Sequence, residues 1–426
     1  MERSLAGKQD GAPALSRPSF TQKLCRKILR AQLEKLTHGQ ITLSFNGRQE
    51  TYGCSREDFP NSALIMISDP AFFPAAVFGG TIGAAESYMA DEWQVDDLTA
   101  LVRILVRNRH VMDGLDERWF SIQRPFLKLL HALNRNSRKG SRKNIAAHYD
   151  LGNEFFGTFL DPTLMYSCAI FESPQATLHD ASVAKIRRIC RKLTLQPSDH
   201  LLEIGTGWGA FAILAAREFG CRVTTTTISR KQHEIATARV AEEGLEDRIT
   251  VLLRDYRDLD GSYDKLVSIE MIEAVGHQYL NQYMNKCSTL LKSDGAMLIQ
   301  AITINDWLYD QSLRSVDFIK RYIFPGSFIP SISAITQSMK QATDLRLFHL
   351  EDITPHYAQT LAQWRDKFHQ NIQQIRRLGF QRAFERMWDW YLCYCEGGFD
   401  ERALGCVQLL FTKPASRKQP ILPALA

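Results

Sequence analysis

Strand-like and helix-like segments alternate through the middle of this chain, and that alternation constrains its fold more than any other feature. Short apolar runs bounded by turn residues are followed by amphipathic segments of helical period. The predicted strands are DHLLEIG, CRVTTTTI, RITVLLRD, DKLVSIE and GAMLIQAITI, and the predicted helices are AFAILAAREFG, SRKQHEIATARVAEEG and HQYLNQYMNKCSTLLK. Ser229 is the expected N-cap of the second helix. This order predicts an α/β fold with a doubly wound, largely parallel sheet.

A glycine-rich loop follows the first of these strands and opens a helix. Its residues are Glu203, Ile204, Gly205, Thr206, Gly207, Trp208 and Gly209. The spacing is GxGxG rather than the GxGxxG of dinucleotide sites, and threonines stand where such sites place an acid about 20 residues later. Glu203 before the loop suits a cationic ligand, and Asp255 after the third strand suits an adenine amino group. The pattern therefore favours S-adenosylmethionine over NAD.

The length and composition indicate a globular protein of more than one domain. The chain has 426 residues, of which 45% are hydrophobic, and a net charge of +5. We predict a flexible terminus over residues 1–18 and a small α+β domain over 19–133, with a hairpin at Asn46-Gly47. This small domain is interpreted either as a packed accessory or dimerisation domain or as a lipid-handling surface. The modest charge gives no reason to expect a nucleic-acid partner.

A basic segment separates the small domain from the rest of the chain. Residues 118–149 contain eight Lys or Arg and no Asp or Glu, and their polar part, 134–144, is the predicted linker. A catalytic domain is predicted over 145–415 and a tail over 416–426. No run approaches the ~18–20 apolar residues of a spanning helix, and the start lacks an apolar leader. The scattered cysteines suggest neither disulfides nor a metal site. We expect a cytoplasmic protein, peripheral at the inner membrane surface.

Several motifs occur in the order typical of one enzyme family. They are HYDLGNEFFGTFLDPTLMYSCAIFE (148–172), LLEIGTGWGAFA (201–212), TISRKQ (227–232), RDYRD (254–258), SIEMIEAVG (268–276), RYIFPGS (321–327) and MWDWYLCYCEGGF (387–399). In these motifs the chain resembles cyclopropane-fatty-acyl-phospholipid synthases and their mycolic-acid relatives. GGTIGAAESYMADEWQVDDLTAL extends the resemblance into the small domain. It implies a Rossmann-like class I methyltransferase fold and, by analogy, a homodimer.

The resemblance also implies an activity and a set of site residues. The activity is transfer of a methylene group from S-adenosylmethionine to a cis double bond of an unsaturated phospholipid, with bound bicarbonate as the base. The implied cofactor contacts are Tyr166, Ser167, Gly205, Gly207, Gly209, Thr227, Gln232, Asp255 and Tyr256. The implied bicarbonate contacts are Cys168, Glu273, Ile302 through its backbone, and Tyr391. Gln300 replaces the family's usual histidine and is expected to take over its anion contact, while Ala274 replaces another.

The chemistry of alkene alkylation agrees with such a site. Aromatic faces can stabilise the carbocation that forms, and candidates are Tyr149, Phe155, Phe156, Tyr166, Phe171, Tyr322 and Phe324, each equally interpretable as core packing. Glu273 is preferred to Glu270, which ends a strand and is expected to face the other way. A backbone or packing contact is preferred to a nucleophilic role for Cys168. The alternatives are a methyl-branching or small-amine N-methyltransferase, and a non-catalytic lipid-binding protein.

Overall fold

The computed structural model describes residues 18–110 and 151–421. The chain divides into two compact units, Met1–Phe120 and Ser121–Ala426. The predicted linker at 134–144 and its basic surroundings lie outside the described residues, as do residues 1–17 of the predicted flexible terminus. The predicted boundary near residue 133 therefore stays a prediction.

The smaller unit is an α+β structure around a four-stranded sheet. Its elements are α1 (Phe20–Leu33), β1 (Gly39–Phe45), β2 (Arg48–Cys54), β3 (Ser62–Ile67), α2 (Phe72–Met89), β4 (Trp93–Val95) and α3 (Leu98–Arg107). The strand order is β2-β1-β3-β4, and β1 pairs with β2 antiparallel. Asn46 and Gly47 have φ of 52° and 72°, the left-handed pair that a tight hairpin requires. The predicted hairpin is confirmed.

The larger unit contains a seven-stranded sheet. Its strands are β5 (His200–Ile204), β6 (Arg222–Thr227), β7 (Ile249–Leu253), β8 (Tyr263–Ile269), β9 (Leu291–Ile304), β10 (Arg346–Asp352) and β11 (Leu404–Thr412), in the order β10-β11-β9-β8-β5-β6-β7. The ladders from β9 to β7 are parallel, whereas β11 is antiparallel to both β9 and β10. The five predicted strands and their parallel order are confirmed, and the antiparallel edge was not anticipated.

Helices cover both faces of this sheet. They are α4 (Asn153–Gly157), α5 (Leu178–Leu193), α6 (Ala210–Phe219), α7 (Arg230–Glu242), α8 (Leu280–Thr289), α9 (Asp306–Arg314), α10 (Ile332–Ala342), α11 (Thr354–Gln370), α12 (Ile372–Arg377) and α13 (Arg382–Asp400). Successive residues of a strand point to opposite faces of the sheet. Leu201 accordingly packs in one apolar cluster and Leu202 in another. Ser229 caps α7 by accepting a hydrogen bond from the N–H of Gln232, as predicted.

The carboxyl ends of the central strands meet at one edge of the sheet. Glu203 lies in β5 just before the glycine loop, Glu270 follows β8 directly, and Gln300 lies within β9 opposite Ile269. In open α/β sheets ligands bind at this edge. The topology thus collects the predicted acids and Gln300 at the usual position of an active site.

Candidate active site

The glycine loop has the backbone shape needed to approach a ligand closely. Gly205, Gly207 and Gly209 have φ of 103°, 52° and 88°, a region that favours glycine. A Cβ on Gly207 would meet no atom within 4 Å, so its α-carbon faces open space. The N–H groups of Gly205 and Thr206 both donate to the carbonyl of Thr226, which holds the loop against β6. The loop therefore fits a nucleoside such as that of S-adenosylmethionine.

Glu203 lies beneath this loop rather than on its surface. The hydroxyl of Thr225 is 2.6 Å from its Oε2 and 2.7 Å from the hydroxyl of Thr206. Glu203 is buried, and burial raises its pKa to about 8, although Thr225 and the nearby Lys185 oppose that shift. A cationic ligand would favour the ionised form of this carboxyl. Its role as a cofactor contact stays a prediction.

The remaining predicted cofactor residues lie after β6 and β7. Thr227 donates from its hydroxyl to Oε1 of Gln232 at 2.9 Å, which joins the end of β6 to the first turn of α7. Asp255 accepts two hydrogen bonds from the Arg257 guanidinium, at 2.8 and 2.7 Å. Tyr256 packs edge-on against Tyr283. These contacts order the sheet edge on which the resemblance places the nucleoside.

Tyr166 and Ser167 precede Cys168 in a loop that lines the same region. Ser167 accepts a 2.6 Å hydrogen bond from Nζ of Lys185, which is completely buried. The hydroxyls of Tyr166 and Tyr391 are hydrogen-bonded at 2.9 Å. Tyr391 therefore contacts another phenol.

Aromatic rings surround these two tyrosines. Tyr166 lies near Trp364 and Phe324, with ring centroids 5.1 and 6.4 Å apart, and Phe324 lies edge-on to Tyr391 at 6.3 Å. Among the other candidates, Phe155 and Phe156 are fully buried core residues, whereas Tyr149 lies outside the described residues. The partly exposed Tyr166 and Phe324 are thus better placed to meet a substrate than the residues behind them.

Glu270 is the centre of the polar contacts at this site. Its Oε1 accepts from the N–H of Cys168 at 2.9 Å and from Nε2 of Gln300 at 2.8 Å, and its Oε2 accepts from the hydroxyl of Tyr357 at 2.6 Å. Its backbone has a φ of 48°, which is strained for a residue with a side chain. The expectation that Glu270 faces away from the site is wrong, because the chain turns sharply where β8 ends.

Glu273 lies close to Glu270 in the short 3₁₀ turn that follows. Its Oε1 accepts from the N–H of Ile302 at 2.6 Å, while its buried Oε2 has no hydrogen-bond partner among the described residues. Burial, followed by repulsion from Glu270, raises the pKa of Glu273 to about 8. The pairing of Glu273 with the backbone of Ile302 agrees with the resemblance, but Ile302 donates to the carboxylate itself.

The side chains of Cys168 and Gln300 are buried behind the site. The Cys168 side chain is completely buried and burial raises the pKa of its thiol, so its contact with the site is through the backbone. Gln300 is also completely buried; its Nε2 donates to Glu270 and to the carbonyl of Cys168, and its Oε1 accepts from Gln408. The expected direct anion contact of Gln300 is therefore a contact with Glu270.

These contacts do not fit a bound bicarbonate ion. The donors expected to hold it are committed to protein carboxylates, since Cys168 and Gln300 donate to Glu270 and Ile302 donates to Glu273. Tyr357 of α11, which is not among the predicted site residues, donates to Glu270 in this cluster. Sequence reasoning missed Tyr357 because nothing in its helical pattern distinguishes it from a core residue.

A chain of hydrogen bonds continues from Gln300 to strand β10 at the edge of the sheet. Nε2 of Gln408 donates to Gln300 at 2.9 Å, and Oε1 of Gln408 accepts from Lys192 at 2.8 Å. Lys192 also pairs with Glu351 at 2.5 Å, and Glu351 with Arg188. Gln300 is held by this chain in the orientation that presents its amide N–H to Glu270.

The sequence of this chain is similar to those of known lipid-modifying enzymes. A model of the mycolic acid cyclopropane synthetase family matches residues 136–409. The chain belongs to this family. Tuberculostearic acid methyltransferase UfaA1 of Mycobacterium tuberculosis is 40% identical over 328 residues, which are 75% of this chain and 76% of that protein. Cyclopropane-fatty-acyl-phospholipid synthase of Escherichia coli is 32% identical over 353 residues, which are 82% of this chain and 88% of that protein.

Solved structures agree with the family assignment. Mycolic acid cyclopropane synthase CmaA1, complexed with SAH and CTAB, matches with a TM-score of 0.60 and 32% identity, over 64% of this chain and 98% of that chain. Coclaurine N-methyltransferase matches with a TM-score of 0.58 at 18% identity, which supports the fold alone. The protein is an S-adenosylmethionine-dependent methyltransferase with a Rossmann-like class I fold, acting on lipid acyl chains by cyclopropane or methyl transfer.

No helix within 18–110 or 151–421 is long and apolar enough to cross a bilayer.

Proposed function

We propose that this enzyme transfers a methylene group from S-adenosylmethionine to the cis double bond of an unsaturated phospholipid acyl chain, forming a cyclopropane ring. The observation that carries the proposal is the pairing of two carboxyls, Glu270 and Glu273, with an aromatic enclosure beside the nucleoside loop. The match to the Escherichia coli synthase supports a phospholipid substrate. This match covers 353 residues, which is more than the larger unit, Ser121–Ala426, contains, so the match extends into the smaller unit.

Each part of this site has a task in alkene alkylation. S-adenosylmethionine, when bound, supplies an electrophilic methyl group, and the alkene is a weak nucleophile that must be aligned and kept dry. The rings of Tyr166, Phe324 and Tyr391 surround the space in which positive charge would develop on the acyl chain, and ring faces attract cations. A carboxylate within the same enclosure can then remove the acidic proton of the added methyl group.

Lipid analysis tests this proposal directly. The full chain is expressed in a bacterial host that lacks its own synthase, and phospholipid fatty acids are analysed by gas chromatography–mass spectrometry. We expect monounsaturated acids to be replaced by products heavier by one CH₂. Gly207→Val serves as the matched inactive control, because it alters the nucleoside loop alone. An unchanged lipid profile with soluble, S-adenosylmethionine-binding wild-type protein would contradict the proposal.

A methyl-branching activity is the second candidate. It is favoured by the 40% identity to a tuberculostearic acid methyltransferase, a higher identity than to the cyclopropane synthase of Escherichia coli. Loss of a proton from the chain rather than from the added methyl would leave a methyl-branched alkene of the same mass as the ring. Mild catalytic hydrogenation separates the two, because an alkene takes up hydrogen and the ring persists. The small-amine alternative has only a likeness of fold, and amine substrates are expected to give no product.

We also propose that the basic segment 118–149 docks the enzyme on anionic membrane at the cytoplasmic face. Each Lys or Arg near such a surface contributes about 1 kcal/mol, and salt screens the attraction. The test variant reverses four basic residues to Glu: Arg138, Lys139, Arg142 and Lys143. The control variant reverses four exposed basic residues elsewhere: Arg222, Lys340, Arg377 and Arg417.

Only the first variant is expected to lose sedimentation with anionic vesicles. Equal loss in both variants would mean that net charge alone drives binding, and equal binding of wild type to neutral vesicles would exclude electrostatic docking. The homodimer implied by the resemblance is likewise a proposal, and sedimentation equilibrium of the full chain tests it.

A further inference from the structure

Three hydrogen-bond donors of the site converge on one protein carboxylate. The backbone N–H of Cys168, the amide of Gln300 and the hydroxyl of Tyr357 all donate to Glu270, at distances between 2.6 and 2.9 Å. Donors converging on two oxygens are what an anion such as bicarbonate requires. We infer that the Glu270 carboxylate takes the place of bicarbonate as proton acceptor, so that the enzyme needs no external anion; this rests on the proposed function.

These three hydrogen-bond donors are already used, so none of them is left for a second anion. Both N–H groups of the Gln300 amide are used, one by Glu270 and one by the carbonyl of Cys168. The N–H of Ile302 donates to Glu273. Gln300 and Cys168 are completely buried, whereas Glu270 is partly exposed. Glu273 is partly exposed as well, but its Oε1 accepts from Ile302 and its Oε2 is buried, which favours Glu270 as the carboxylate that a substrate reaches.

The charges around Glu270 agree with its role as the acceptor. Burial lowers the pKa of Lys185, and attraction to Glu270 opposes this shift, so the two groups stabilise each other's charge. Glu273, with its pKa raised to about 8, holds a proton near neutrality. Tyr357 keeps its proton as well, because burial and then Glu270 raise the pKa of its phenol well above the usual value.

The proton transfer balances without any further reactant. Attack by the alkene forms a carbon–carbon bond to the methyl group and breaks its bond to sulfur, which leaves a neutral thioether and a cation on the acyl chain. A C–H bond of the added methyl then breaks. Its electron pair closes the ring, and its proton goes to Glu270, which becomes a neutral carboxylic acid. Glu270 returns to the carboxylate by releasing the proton to water after the product leaves.

Replacing Glu270 by glycine should make the enzyme dependent on added bicarbonate. Glycine suits the φ of 48° at this position, and it removes the carboxylate while leaving the donors of Cys168, Gln300 and Tyr357 in place. In carbonate-free buffer we expect Glu270→Gly to lose at least about 100-fold in rate on unsaturated phospholipid vesicles, the usual contribution of a general base. Added bicarbonate should recover at least about tenfold of that loss.

Two further variants serve as controls for Glu270→Gly. Glu270→Gln keeps the volume and loses the charge, so it should be as slow as Glu270→Gly but show no response to bicarbonate. Thr194→Gly relieves a similar φ of 51° at the end of α5, outside the site, and should behave as wild type. Binding of S-adenosylhomocysteine, measured by calorimetry, verifies that each variant is folded.

A binding measurement separates this inference from the proposed function. Equilibrium dialysis with labelled bicarbonate should detect binding to Glu270→Gly and none to wild type, whether or not the lipid assay gives product. A wild-type enzyme that loses activity when bicarbonate is removed and regains it on restoration would overturn the inference. Binding of bicarbonate to wild type, or a Glu270→Gly variant that neither binds nor responds to it, would do the same. Absence of product from wild type with the expected binding pattern would instead contradict only the proposed function.

Discussion

Gln300 and Gln408 lie directly opposite each other on antiparallel strands, and their side-chain amides are joined by a 2.9 Å hydrogen bond in the core of the sheet. Gln300 in turn donates to Glu270 at 2.8 Å. Both glutamines are completely buried, so each amide depends on its protein partners. The pair therefore connects the catalytic carboxylate to the framework of the sheet.

The two glutamines should respond differently to substitution. Gln408→Leu leaves Oε1 of Gln300 without its donor and removes one acceptor of Lys192. It should lower the free energy of unfolding by about 1–3 kcal/mol, with activity retained because Gln300 still donates to Glu270. Gln300→Leu removes the donor to Glu270 and should also reduce kcat at least about tenfold, since a hydrogen bond to a charged group contributes ~1.5–3 kcal/mol. Gln300→His keeps a donor and should stay within about tenfold of wild type. Urea unfolding and the lipid assay measure both quantities, and equal kcat losses in Gln408→Leu and Gln300→Leu would contradict this assignment.

Removal of the Tyr357 hydroxyl should slow the reaction more than removal of the Tyr391 hydroxyl. Tyr357 donates to Glu270 at 2.6 Å, whereas Tyr391 bonds the neutral phenol of Tyr166 at 2.9 Å. We expect Tyr357→Phe to lose about tenfold or more in kcat and Tyr391→Phe less, because neutral hydrogen bonds contribute only about 0.5–1.5 kcal/mol. Steady-state kinetics of both variants decide the matter. A larger loss of kcat in Tyr391→Phe than in Tyr357→Phe would instead support the bicarbonate contact that the resemblance implies for Tyr391.

Gly207→Val should abolish tight binding of S-adenosylmethionine. The Cβ would enter the open space in front of the loop, where the nucleoside is expected. Calorimetric titration should show at least a tenfold weaker affinity, about 1.4 kcal/mol. Gly244→Val is the matched control, since Gly244 also has a left-handed φ, 64°, and open space at its Cβ, but lies beyond the end of α7. Equal affinities in the two variants would place the cofactor elsewhere.

The stability of the protein should depend on the titration of Glu273 between about pH 4.5 and about pH 8. Burial, then Glu270, raises its pKa from 4.5 to about 8 in the folded state. The folded chain therefore binds more protons than the unfolded chain in this window, and the free energy of unfolding falls as pH rises through it. Glu273→Gln lacks this titration, and Glu203 contributes equally to both proteins.

Urea unfolding at about pH 5 and about pH 8 tests this sign. Relative to wild type, Glu273→Gln should gain more than about 1.4 kcal/mol between the two pH values, because each pKa unit corresponds to that amount. Parallel pH profiles of stability for the two proteins would show that Glu273 is ionised in the folded state near neutrality.

Local patterns predicted the elements that depend on local chemistry. The hairpin at Asn46-Gly47, the cap of α7 at Ser229 and the five parallel strands were predicted because turn residues and apolar periodicity act over a few residues. Strands β10 and β11 were not predicted. The apolar run LGCVQLLFT of β11 follows a long helix and is ambiguous between helix and strand until its partner β9 is known.

The family, the glycine loop and Glu273 were recognisable from the sequence alone, because each is written in contiguous motifs. The arrangement at Glu270 was decided only by the tertiary structure. Because side chains alternate along a strand, Glu270 is predicted to face the opposite side of the sheet from the site. The alternation ends with β8 at Ile269, however, and the φ of 48° at Glu270 redirects its side chain. Cys168, Gln300 and Tyr357 then reach it from parts of the chain up to 102 residues away. Such distant donors have no common local pattern, so only the folded sheet edge brings them together around one carboxylate.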